Sequence, residues 1–365
     1  METISCVTFW NNYKDHLSDP EFMKKEIAIN KLMEPLGFDT IFAVEHHFSN
    51  YSMGPDHFQF LGYMAGITNR IKLGTLGVIL PWNDPLRVAE RIILLDHLSD
   101  GRAVFGMARG LAKREYVGFR QEMEESRERF DESARMVCRA IEDGFIEGNG
   151  KYYPQPRIEI RPRPRYDFTG RIYAVAASEE SVEAAAKLGA HMVMFSDRPW
   201  HMRLPAIERN RELHRKFHGR PAPSMMITDF CLCGPDLAET EEQARKYMGK
   251  FVESNFHHYE FLGEHFNTVK GYDAYVQKAA IARLGGLDGV VAGFMQAAVW
   301  GPPDRILREL EARRGVIGEF ELNTAFRFGG IPYELAERSL KMFAKEILPV
   351  LKSWRSEATA QAAAE

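Results

Sequence analysis

Cysteine is scarce: Cys6, Cys138, Cys231 and Cys233 are the four thiols of a 365-residue chain. Cys231 and Cys233 stand two apart in an apolar run, so on a strand both face one way, as core residues do. Zinc would ask for a wider gap and a second pair. All four therefore read as reduced, mostly buried thiols of a cytoplasmic protein, and no metal is expected. An excess of one charge is also missing. Lys and Arg number 47 against 51 Asp and Glu, a net charge of −4, which gives no basis for nucleic acid or an anionic membrane as partner. Met1-Glu2-Thr3-Ile4 has no basic region leading into an apolar stretch, so no secretory leader is expected. The longest weakly polar stretch, Leu287 to Pro303, is broken by Asp288 and Gln296 and is not a membrane span. Nor does Gly-x-Gly-x-x-Gly follow the first apolar run, which argues against a dinucleotide fold.

What is present is alternation. Strand-like runs at Glu2–Phe9, Asp39–Val44, Ile71–Leu80, Arg102–Met107, Arg171–Ala177, His191–Phe195, Met225–Cys233 and Phe320–Phe328 are each followed by helical spacing. Helices are predicted over Glu21–Met33, Asp56–Ile67, Pro85–Leu98, a long region ending near Gly144, Glu179–Leu188, Met202–Phe217, Leu237 to about Phe256, and Tyr333–Leu351. Eight such units predict an α/β fold, a (β/α)8 TIM barrel. One domain over 1–355 is expected, with a disordered Ala-rich tail over 356–365. Tyr152–Arg165, rich in Pro and Arg, reads as a surface excursion. Tyr259–Pro303 breaks the rhythm before the last strand and reads as an irregular lid around a helix near Tyr272–Leu284.

In a barrel the active site lies where the strands end. The second strand ends on Glu45, His46 and His47, and histidine titrates near physiological pH, so this cluster suits proton handling or metal binding. A polar strand edge is the plain alternative. Adjacent residues on a strand point to opposite faces, so the two histidines do not readily share one metal. Other strand ends supply Leu76 and Gly77, then Ala108, Arg109 and Leu111, then Ser178, Glu179 and Ser181, then Phe195 and Ser196. Hydroxyls at a helix start, together with Arg109, suit a phosphate, and Gly77 admits a flat ring against the backbone. Ser178 would also cap its helix with no ligand at all. Phe9, His47, Trp82, Phe294, Trp300 and Phe326 are candidates for an apolar substrate pocket, although Trp82, Phe294, Trp300 and Phe326, each taken singly, read as core before pocket. A planar heteroaromatic carrying a phosphate fits this rim best.

Val44-Glu45-His46-His47-Phe48, Leu73-Gly74-Thr75 through Ile79-Leu80-Pro81, Leu94 through Arg102, Arg109-Gly110-Leu111 and Met123 through Arg127 together resemble the luciferase-like flavin-dependent monooxygenases. The similarity is greatest to the α subunit of bacterial luciferase and its alkanal monooxygenase relatives. It implies reduced FMN as co-substrate, delivered transiently by a separate NAD(P)H:flavin reductase, with O2 as the second co-substrate. It implies His46 as the proton-handling residue, with Glu45 and His47 supporting it. Leu76 and Gly77 would lie against the flavin ring, often through a cis peptide, and Phe195 and Ser196 would flank it. Arg109, Leu111, Ser178, Glu179 and Ser181 would stand on the phosphate side. A small hydrophobic aldehyde, ketone or terpenoid is the expected substrate, and a homodimer the expected assembly. Ala108 and Ala177 depart from luciferase, which carries a cysteine and an acid there, and this speaks against light emission rather than flavin binding. A deazaflavin-dependent oxidoreductase of the same family, a non-catalytic flavin-binding partner subunit and a metal-dependent hydrolase are the rival readings.

Overall fold

The computed structural model describes residues 1, 3–267, 269 and 272–354, so the expected tail over 356–365 lies outside the described residues. Eight parallel strands form the frame: β1 Ile4–Thr8, β2 Thr40–Ala43, β3 Lys72–Thr75, β4 Ala103–Ala108, β5 Ile172–Val175, β6 His191–Phe195, β7 Met225–Cys233 and β8 Phe320–Ala325. Each pairs with the next, and β8 returns to β1 with Leu322 opposite Ile4, so the sheet closes into a (β/α)8 barrel. Apart from the single turn Met33–Leu36, the α-helices among the described residues are α1 Asp19–Asn30, α2 His57–Ala65, α3 Pro85–Leu98, α4 Lys113–Gly118, α5 Ser126–Asp143, α6 Glu179–Lys187, α7 Leu204–His218, α8 Leu237–Tyr259, α9 Asp273–Ala297, α10 Pro303–Ile317 and α11 Tyr333–Met342. None of the described helices is long and apolar enough to cross a membrane.

Local chemistry explains the boundaries. Asp84 accepts from the Leu86 and Arg87 amides with Pro85 beginning α3, and α3 buries Val88, Ala89, Ile92 and Leu95 at helical spacing. The motif from Leu94 to Arg102 ties the strands together near where they begin. Buried Asp96 accepts from Arg171 at 2.7 Å, and Arg102 donates to carbonyls of Ala65, Thr68, Ile71 and Ser99. That stretch, which helps carry the family resemblance, is scaffold rather than chemistry.

Three expectations change. The third strand divides into β3 and a short Val78–Ile79 piece paired with Met107 and Ala108, separated by a cis Leu76–Gly77 peptide. The Tyr152–Arg165 excursion contains one arm of an antiparallel hairpin, Gln155–Glu159 against Phe145–Gly148. The irregular lid expected over Tyr259–Pro303 is mostly helix. Helix α9 runs to Ala297 with a break at Gly286, and Val299–Gly301 then pairs with the end of β7. Its glycines obscure the pattern in sequence, while packing against α8 sustains the helix.

Candidate active site

A cleft open to solvent lies at the C-terminal ends of the strands. Phe9, His46, Leu76, Gly77, Ala108, Arg109, Leu111, Ser178, Ser181 and Phe195 all line it. Along one wall the chain packs on itself so closely that two positions require glycine. A Cβ on Gly77 would lie 2.7 to 2.9 Å from the Met107 backbone. Gly110 has φ +85°, and its Cβ would lie 2.7 Å from Ile79 and 3.0 Å from Trp82.

At one end two cations meet. Arg109 packs over the Tyr272 ring at 3.9 Å, and Tyr272 donates to the Gly110 carbonyl at 2.9 Å. Arg127, from the start of α5, lines the same end. Burial, and then the charge of Arg109, lower Arg127 from the ordinary guanidinium value, and its Nε is buried without a hydrogen-bond partner. Ser178 and Ser181 form a capping box at the start of α6 and also face the cavity. Two arginines, two hydroxyls and a helix N-terminus make a donor set that suits a phosphate.

The two strand-end histidines face different surroundings. His47 Nε2 lies 3.2 Å from Glu45 Oε1, and the same buried carboxylate accepts from Ile79 N, Trp82 Nε1 and Asn83 Nδ2. Burial alone would raise Glu45, but the His47 hydrogen bond, the nearby His57 and the Ile79 amide hold it below the usual carboxylate range. His46 turns to the cavity instead. Its Nδ1 is 3.2 Å from Glu115 Oε1, and the Tyr259 hydroxyl is 3.3 Å from its Nε2. Glu115 also accepts the His47 amide at 2.7 Å, and His258 Nε2 approaches it at 3.4 Å. Burial would raise the Glu115 carboxyl, yet the charge of His46 and the hydrogen bonds of both histidines hold it well below the usual range. Burial, only partly offset by Glu115, lowers His258 to about 4. The facing atoms of His46, Glu115 and His258 lie within 4.8 Å of one another, close enough that three such residues could hold a metal ion.

The sequence profile of the luciferase-like monooxygenases matches residues 3–318. The chain belongs to that family. It is 24% identical over 344 residues to an alkanal monooxygenase alpha chain of Photobacterium leiognathi, covering 92% of this chain and 95% of that one. A monooxygenase from Streptomyces bottropensis superposes with a TM-score of 0.75 at 25% identity, covering 96% of this chain and 100% of the other. At 16% identity and a TM-score of 0.68, the oxygenating constituent of 3,6-diketocamphane monooxygenase from Pseudomonas putida, in complex with FMN, shares the fold, covering 96% and 99%. So does a coenzyme F420-dependent tetrahydromethanopterin reductase of Methanopyrus kandleri, at 17% and 0.68, covering 96% and 99%.

In this luciferase-like monooxygenase seven residues picked from sequence lie off the cavity wall. Glu179 is exposed at the start of α6, and Ser196 is buried behind the wall with its amide on Thr228. His47 and Trp82 are held on Glu45, and Trp82 stacks on Phe119. Phe294 packs behind Phe230 and Phe251. Trp300 donates to the Met295 carbonyl, and Phe326 packs on Phe38 and Phe343. A strand-end position sets a side chain's height but not its direction, and direction alternates. Conversely, sequence reading missed Glu115, Arg127, Tyr51, Asn255, Tyr259, Phe261, Tyr272 and Tyr275, all of which line the cavity. Arg127 closes a quoted motif, and His257-His258-Tyr259 is a second histidine pair at an element's end. Both were available signals.

Proposed function

We propose that this chain is a flavin-dependent monooxygenase that takes reduced FMN from a separate NAD(P)H:flavin reductase, together with O2, and oxygenates a small hydrophobic substrate. One observation carries the reading: a single cleft joins a two-arginine, two-serine end, a wall of Gly77 and Ala108, and His46 at the other side. Reduced flavin, when bound, supplies the two electrons that let one oxygen atom enter the substrate while the other leaves as water. The chain's residues do the rest. Arg109, Arg127, Ser178 and Ser181 would hold the phosphate, and Leu76, Gly77 and Ala108 would let the ring lie flat against backbone. Glu115, accepting from Nδ1 of His46, leaves the Nε2 lone pair, beside the Tyr259 hydroxyl, to take a proton on the cavity side. The rings of Phe9, Tyr51, Phe251 and Phe261 would exclude water and receive an apolar substrate. Exposed Tyr63, Ile67, Leu94 and Leu98, on or next to the adjoining α2 and α3, support a homodimer. Four free thiols suit the cytoplasm.

Anaerobic titration with reduced FMN, followed by oxygen and a panel of apolar carbonyls and alkenes, tests this reading. Saturable binding and one compound that is oxygenated and speeds flavin reoxidation are expected. Binding of reduced deazaflavin in place of FMN would move the chain to hydride transfer, and binding without oxygen consumption would make it a non-catalytic subunit.

A further inference from the structure

Once flavin and substrate fill the cleft, His46 still has to exchange protons with solvent, and a continuous set of side chains leads from it away from the cleft. Glu115 Oε1 is 3.2 Å from His46 Nδ1 and 3.4 Å from Nε2 of His258, which stands at the end of α8 with a wholly buried side chain. His258 Nδ1 is 2.7 Å from the hydroxyl of half-buried Ser49, beside the exposed Phe48. Tyr51 stacks on the His258 ring at 4.5 Å and 16° and sets its plane. The 3.4 Å approach of His258 Nε2 to Glu115 is long, so the ring proton can sit on Nδ1 against Ser49, leaving Nε2 to take a proton from Glu115 once His46 has protonated it.

We propose that Glu115, His258 and Ser49 form a relay that carries the proton taken up by His46 to solvent behind the cavity wall. His46 gains a proton on Nε2 and gives its Nδ1 proton to Glu115, which passes it to His258 Nε2. The Nδ1 proton of His258 then moves to Ser49, whose own proton leaves to water, so one proton enters and one departs. The relay rests on the reading of His46 given above. Besides Glu115 and His46, the charged group acting on His258 is Arg114, which bonds the His257 carbonyl at 3.1 Å and faces Glu260. Glu115, His258 and Ser49 are positioning and transfer groups rather than catalytic residues.

Exchange of the His46 Nδ1 proton, which faces Glu115 and not the open cleft, followed by NMR on histidine-labelled protein without flavin, reads the relay directly. His258→Gln and Ser49→Ala should each slow that exchange about tenfold or more while leaving the His46 chemical shifts in place, and added imidazole should restore it in His258→Gln. In stopped flow with reduced FMN, oxygen and an indicator dye, proton transfer to solvent should lag flavin reoxidation only in the variants. Unchanged exchange in both variants overturns the relay. So does stoichiometric metal in purified protein whose removal abolishes turnover, because the same three side chains would then be metal ligands. Full turnover by His46→Ala would instead remove the reading of His46, and the exchange measurement separates the two failures.

Discussion

His46 and His47 are neighbours in sequence and opposites in environment. His47 is drawn onto Glu45, a buried carboxylate that also holds Trp82, Asn83 and the Ile79 amide, so this side of β2 fastens the split third strand to its neighbours. His46 meets Glu115 from α4 and Tyr259 from α8, and its ring borders open space. A carboxylate with its donors all supplied by structure stabilises a fold. One shared between two imidazoles at a cavity edge can also move a proton. The difference teaches that one polar strand end faces two ways, into the fold and into the cleft, divided by the alternation of side chains.

The sharpest way to break this comparison is kinetic. His46→Ala should lower substrate oxygenation by at least about 100-fold with an unchanged urea midpoint. If His47→Ala costs as much activity at equal stability, the division is wrong. Next in size is stability. Glu45→Ala should cost about 3 kcal/mol in urea unfolding, because it strands several buried donors. The Glu45 carboxyl is depressed in the folded state, so its contribution is complete above the unfolded value of about 4.3 and is lost as pH falls below it. Glu45→Ala should therefore flatten that acid limb.

At the opposite end of the cleft, Arg109→Ala should weaken FMN binding about tenfold, as measured by fluorescence titration, with Arg127→Ala similar. An effect confined to turnover would detach the arginines from phosphate. Smaller is a pH slope. His258 is lowered to about 4 when folded, so the unfolded chain binds the extra proton first. Stability should decline as pH falls from about 6.5 towards 4, and His258→Gln should reduce that decline. Tyr259→Phe, which removes one 3.3 Å contact to His46, should change turnover only about twofold to threefold.

Much of the frame was legible in sequence. The predicted bounds of β6 and β7 match the structure to the residue, and those of α3 do as well, because their apolar spacing is uninterrupted and their caps are local. Arg109, Ser178 and Ser181, which line the cleft, were legible for a related reason: Arg109 directly follows a readable strand, and the two serines open the helix after another. Helix α9 was not, since its glycines and alanines carry little periodicity until α8 supplies a partner.

Sequence by itself thus determined an eight-unit barrel, the rim on which chemistry could sit and the motif that contains His46, because period, capping and strand order act over a few neighbouring residues. Only the tertiary structure decided which rim side chains turn inward. It set Trp300 and Phe326 into packing, brought Glu115, Arg127 and Tyr259 to one cleft, and set His258 behind Glu115. Those meetings span up to 213 positions, as between His46 and Tyr259. No local pattern encodes them; they follow from barrel closure and from the way the segment after β7 packs across its mouth.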